Sequence, residues 1–130
     1  MDYEVEVAIV ISKKGKNISE DKAQDHVFGY CIVNDVSERS WQKERGGQWI
    51  KGKSIAGPCG PYLVTKDEIK DINNLNLSLD VNGERRQTGN TERMIFNFNF
   101  LISHISQFMT LYPGTIITTG TPAGLSLIHI

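Results

Sequence analysis

The stretch Tyr3-Glu-Val-Glu-Val-Ala-Ile-Val-Ile-Ser12 alternates with a period of two. Tyr3, Val5, Val7, Ile9 and Ile11 make one apolar face, and Glu4, Glu6, Ala8, Val10 and Ser12 make the other. Successive side chains of a strand point to opposite sides, and β-branched residues suit a pleated, packed surface, so this spacing predicts a β-strand. One face is apolar from end to end and the other turns apolar at Ala8, which predicts a strand covered on both sides with two carboxylates at its start.

Outward from this strand, residues 27–36 read as a second buried strand ending at Asn34-Asp35. Between the two, Ser19 with Glu20 and Asp21 predicts an N-cap and a short helix to about His26. Ser37 is expected to cap another short helix through Gln42. Residues 44–60 form a long Gly-rich loop, a class that often carries function. A short strand over 62–65, a connector over 66–74 and an alternating strand over 75–81 follow, the last ending in an Asn82-Gly83 hairpin signal. Apolar residues at 98, 101, 102, 105, 108 and 109 predict a helix. Pro113-Gly114 turns into a last strand over 115–119, and 120–124 is a tight glycine loop. Many strands and few helices predict a mainly β (α+β) single domain rather than a βαβ sheet.

Composition excludes several partners. A formal net charge of −1, with Lys13-Lys14-Gly15-Lys16 as the densest basic cluster, argues against nucleic acid and anionic membrane surfaces. No apolar run approaches the ~18 residues of a membrane span. Cys31 and Cys59 make neither a disulfide framework nor a zinc pattern, which suits a reducing compartment.

Glu4 and Glu6 leave the same face of their strand, about 6.6–6.8 Å apart along it. From spacing alone, a wet strand start explains them equally well. Burial on both faces tips the reading, because adjacent carboxylates near a core repel and lose hydration unless a cation neutralises them. Asp35, at the end of the next strand, can reach the same spot if the strands are neighbours. Three carboxylates suit a hard cation such as Mg²⁺, which keeps positions for water or substrate oxygens.

Further motifs join these carboxylates. Glu4-Val-Glu6, Gly29-Tyr-Cys-Ile-Val-Asn-Asp35-Val-Ser-Glu-Arg39-Ser-Trp-Gln42 and Gly52-Lys53-Ser54 are followed by Val81-Asn-Gly83, Gly89-Asn-Thr91, Met94-Ile-Phe96, Leu111-Tyr-Pro-Gly114 and Thr119-Gly120-Thr121-Pro122-Ala-Gly124. Together, over residues 2–124, they resemble the fumarylacetoacetate hydrolase family, and within it look closest to the eukaryotic domain-containing protein 2 branch.

The resemblance implies a mixed β-sandwich roll of the fumarylacetoacetase C-terminal type, usually a homodimer, in a mitochondrial or cytoplasmic setting. Residues 1–124 would be a partial catalytic domain and 125–130 an unmatched tail. It implies Mg²⁺, or alternatively Mn²⁺ or Ca²⁺, held by Glu4, Glu6 and Asp35. It makes Lys53 a catalytic residue and places Arg39, Gln42 and Thr121 in the substrate pocket. The expected chemistry is hydrolysis or decarboxylation, by C–C cleavage, of small oxo or diketo acids through a metal-stabilised enolate. An isomerase of unsaturated hydroxy-dioates, or a non-catalytic metal-binding or dimerisation module, are the alternatives. Read without the family, Arg39, Gln42, Lys53 and Thr121 are surface and turn residues, and His26 and His104 are packing or surface residues.

Three departures qualify the implied activity. The family's His–Glu acid–base pair precedes its Glu-x-Glu motif, and no histidine here matches it. The stretch after Lys53 is short and lacks the family's Asp, and residues 125–130 have no counterpart. The expectation is a chain incomplete at both ends, presenting the metal ligands without the proton-transfer half of the site.

Overall fold

In the computed structural model, which describes residues 1–44 and 57–125, the alternating stretch is strand β1 (Val5–Ile11), buried at every position except the half-buried Val10. It lies inside a four-stranded sheet in the order β3 (Cys59–Thr65), β2 (Val27–Asn34), β1, β6 (Ile116–Thr118), with every pairing antiparallel. Strands β4 (Asn76–Val81) and β5 (Glu84–Asn90) make a separate hairpin. Its turn, Asn82-Gly83, has positive φ at both residues (52° and 80°), as the tightest hairpin turns require. The α+β architecture dominated by strands agrees with the expected class.

The register fixes which side chains share a face. Val5 lies opposite Asn34, Ala8 opposite Cys31, and Ile9 opposite both Tyr30 and Ile117. At the far end Val10 faces Gly29 but Ile11 faces Val27, so Phe28 is an extra residue, and it is exposed as a bulge residue with no cross-strand partner. Gly29 is required by β3: a Cβ there would meet the Val64 carbonyl oxygen at 2.1 Å.

The main core fills one side of the sheet. Val7, Ile9, Ile11, Val27, Tyr30 and Ile117 pack against Phe98 and Ile102 of helix α2 (Phe98–Phe108), with Ile18, Ala23 and Leu111 closing the edges. Tyr30 meets Phe98 edge-on, ring centroids 5.7 Å apart, and its hydroxyl donates to Gln24 Oε1 at 3.0 Å. Burial raises the pKa of that phenol, the Gln24 hydrogen bond opposing it. Ser106 is buried in the same interface, and its hydroxyl accepts from the Ile18 amide at 2.8 Å. The side chain of Asn97 caps α2 by accepting from the Phe100 amide at 2.8 Å.

Four local expectations change. The segment Glu20–His26 is a 3-10 helix; Ser19 holds its N-cap position without a side-chain capping bond, and hydrogen-bonds Asp21 instead, lowering that carboxyl's pKa. The helix after β2 is α1 (Arg39–Glu44), and Ser37 does not cap it, because Ser37 is drawn inward as a bridge partner of Asp2. Glu38 takes the capping role, accepting from the Ser40 amide at 3.1 Å. Strand β3 starts at Cys59, earlier than its apolar residues suggest. Finally, Phe108 and Met109 fit the helical spacing but are exposed; Phe108 sits at the end of a ladder of rings with Phe96, Phe100 and His104 on the outer face of α2. Among the described residues no helix is long and apolar enough to cross a membrane.

Candidate metal centre

The open end of the β1–β2 ladder builds the site. The Glu4 amide donates to Asn34 Oδ1 at 3.0 Å, and the Asp35 amide donates to the Glu4 carbonyl at 2.9 Å. These bonds extend the pairing past β1 and β2 and carry Asp35 next to Glu4. Carboxylate oxygens of Glu4, Glu6 and Asp35 then lie within 4.8 Å of one another. Glu4 is 5% exposed and Glu6 3%, so this is no solvated strand start. Buried carboxylates this close demand positive charge or hydrogen-bond donors.

Part of that demand is met by Arg39, the first residue of α1. Its Nε donates to Asp2 Oδ2 at 2.9 Å, its Nη2 donates to Glu4 Oε1, and its Nη1 donates to Gln42 Oε1 at 2.9 Å. Burial pulls the Arg39 pKa down, but the hydrogen bonds and charges of Asp2 and Glu4 outweigh it and leave it raised, so the group remains a guanidinium. Ser37 adds donations to Glu4 Oε1 at 3.3 Å and to the Asp35 carbonyl at 3.1 Å.

The glycine loop after β6 closes the other side. Gly120, at φ 90°, donates its amide to Glu6 Oε2 at 2.9 Å. On either side of it, the hydroxyls of Thr119 and Thr121 donate to the carbonyls of Val7 (2.6 Å) and Val5 (2.9 Å). Gln87 of β5, 1% exposed, holds the arrangement together. Its Oε1 accepts from the Val5 amide at 3.0 Å, and its Nε2 donates to Thr121 Oγ1 at 2.8 Å and to the Pro122 carbonyl at 3.0 Å.

The fold therefore brings together Glu4, Glu6, Asp35 and Arg39, with Gln42 joined through Arg39 and Thr121 through the loop. Lys53 lies outside the described residues. Three contributors escape the sequence reading: Asp2, Ser37 and Gln87. Asp2 precedes the alternating stretch and carries no signal, and Ser37 looks like a cap. Gln87 looks like an ordinary polar strand residue, because only the packing of β5 against the 119–122 loop buries it. Replacing Gln87 with Leu should cost about 1–3 kcal/mol, since the Val5 amide loses its acceptor in a buried place. Denaturant midpoints should fall, and the Gly120 and Thr121 amides should exchange faster with deuterium; unchanged exchange would remove Gln87 from the site.

A cavity of about 480 Å³ borders the glycine loop, lined by Val7, Met94, Phe96, Leu101, Thr121 and Pro122 among others. Glu4, Glu6 and Asp35 are not among the residues that line this cavity.

The donor set fits a divalent cation. Opposed oxygens on Mg²⁺ are about 4.0–4.2 Å apart and on Ca²⁺ about 4.6–5.2 Å, twice the metal–oxygen distance. A span of up to 4.8 Å exceeds the Mg²⁺ value and falls inside the Ca²⁺ range, so Mg²⁺ needs a small inward movement and a larger ion little or none.

Comparison with known proteins gives the family. Residues 1–127 match the profile described as fumarylacetoacetate (FAA) hydrolase C-terminal. A Burkholderia cenocepacia protein named as a hydrolase is 54% identical over 128 residues, covering 97% of this chain and 45% of that one. The chain thus spans about half the length of curated relatives it matches, those from Burkholderia among them. The solved 2-hydroxyhepta-2,4-diene-1,7-dioate isomerase from Mycobacterium marinum superposes with a TM-score of 0.89 at 43% identity, over 98% of this chain and 50% of that one. The fumarylacetoacetate hydrolase from Exiguobacterium antarcticum superposes with a TM-score of 0.88 at 44% identity, over 95% and 45%. The chain belongs to the fumarylacetoacetate hydrolase family.

Proposed function

We propose that this chain supplies the metal-holding part of a divalent-metal-dependent enzyme that hydrolyses or decarboxylates small oxo or diketo acids. The observation that carries this reading is the convergence of Glu4, Glu6 and Asp35 within 4.8 Å, in a chain with the family's motifs. Mg²⁺ is the proposed ion, with Mn²⁺ and Ca²⁺ as alternatives. When bound, the ion supplies positive charge to the carbonyl and carboxylate oxygens of the substrate.

The chain's own residues then have distinct tasks. Arg39 neutralises Asp2 and Glu4 and holds Gln42, and both residues are proposed to border the substrate. Gly120 orients Glu6. Thr121 donates its hydroxyl proton to the Val5 carbonyl, and its place in the substrate pocket is proposed from the family's motif. Lys53 is proposed to meet the substrate's negative charge. A homodimer in the cytoplasm is the proposed setting, whereas the eukaryotic branch and its mitochondrial address rest on motif resemblance alone.

The isomerase similarity favours a second reading, double-bond migration in an unsaturated hydroxy-dioate, at the same carboxylates. To separate the two, the chain and a full-length relative are incubated with Mn²⁺ and either oxaloacetate, an acylpyruvate or a hydroxy-dioate, and products are resolved by mass. Cleavage products support the first reading, and a changed ultraviolet absorption at unchanged mass supports the second. This chain should bind the metal yet turn over far more slowly than the full-length protein. Equal rates would refute the assignment of proton transfer to segments outside it.

A further inference from the structure

Cys31 and Cys59 play no part in the carboxylate chemistry, yet the fold sets their sulfurs 3.2 Å apart as free thiols. Cys31 is buried on β2 in a small apolar cluster with Ala8 and Val33, while Cys59 opens the edge strand β3 and is exposed. The register explains the meeting. Cys31 lies opposite Leu63 but Val33 lies opposite Cys59, and the irregularity between these pairs carries Cys59 diagonally onto Cys31. A disulfide bond is about 2.0 Å long, so small side-chain rotations separate this contact from a covalent one.

We propose that Cys31 and Cys59 are a reversible oxidative modification site, converted by a hydroperoxide into an intrachain disulfide. The Cys59 thiolate attacks the outer oxygen of the peroxide, giving a sulfenic acid and releasing water or an alcohol. Cys31 then attacks the Cys59 sulfur and expels water. In total two thiols lose two electrons and two protons, and the peroxide is reduced by the same two electrons.

The order of attack follows from exposure. Burial, with the hydrogen bond and charge of Cys59 adding to it, pushes the Cys31 thiol up to about 12, which suits it to resolve rather than to attack first. Once Cys59 is a neutral sulfenic acid, its charge no longer opposes ionisation of Cys31. The bond would tie the exposed edge strand to β2. It would also close a loop whose sequence holds Asp35, Arg39, Gln42 and Lys53.

The test treats the whole chain with hydrogen peroxide, blocks residual thiols, and maps the unreduced digest by mass spectrometry. The expected product is a monomer with the peptides of Cys31 and Cys59 joined and two hydrogens lost. Its Tm should rise by roughly 10 °C, as a loop of this length predicts, and dithiothreitol should reverse the rise. In Cys31→Ala, dimedone should trap the Cys59 sulfenic acid. The proposal is overturned if Cys31 stays alkylatable while Cys59 reaches sulfinic acid or links two chains. Two thiols that both survive the peroxide would overturn it as well.

Discussion

Asp35→Asn and Glu6→Gln should each remove most of the stabilisation by Mn²⁺ or Mg²⁺. Both replacements keep a side-chain oxygen of the same reach, so Glu6→Gln can still accept from Gly120, and only the charge is lost. Residues that merely orient a metal ligand cost 10–100-fold in affinity when lost, so a ligand should cost at least about 100-fold. At an ion concentration 100 times the wild-type Kd, the parent gains about 2.7 kcal/mol from binding. The variant, with Kd raised to that concentration, gains only about 0.4 kcal/mol. Thermal melts with and without Mn²⁺, backed by calorimetric titration, measure the difference directly. A variant that keeps the full metal-dependent rise in Tm would exclude that carboxylate from the centre.

Phe98→Ala should be the most damaging single change in the core, at about 3–5 kcal/mol. Phe98 is 1% exposed and begins α2, where it meets the Tyr30 ring and packs on the β1 side of the sheet. The cavity left there would be bordered by residues held by strand pairing, which limits collapse. Phe108→Ala is the matched control. The two phenylalanines are part of one helical spacing, but Phe108 is 73% exposed and should change stability by less than about 0.5 kcal/mol. Equal losses for both, read from urea midpoints, would mean that the outer face of α2 is covered in solution.

That pair also marks how far local pattern reaches. The alternation at Tyr3–Ser12, the Asn82-Gly83 turn and the helix over 98–108 follow from spacing and turn chemistry, and the structure contains all three. Whether an apolar helix residue is inside is another matter. Periodicity places Phe98 and Phe108 in the same class, and only the sheet lying under the first turns of α2 distinguishes them. Ser37 illustrates the converse, since its local sequence says cap while a long-range bridge to Asp2 takes it into the site.

For the metal centre the division is similar. The sequence by itself determined that Glu4 and Glu6 share a strand face, because pleating leaves no other choice, and its motifs pointed to the family. Tertiary structure decided that Asp35 joins them, because the antiparallel β1–β2 register brings the end of one strand beside the start of the other. It alone placed Arg39 on Asp2 and Glu4, and wrapped the Gly120 loop around Glu6 under the hold of Gln87. Those contacts join residues 34 to 114 positions apart, and no local preference encodes so distant a meeting.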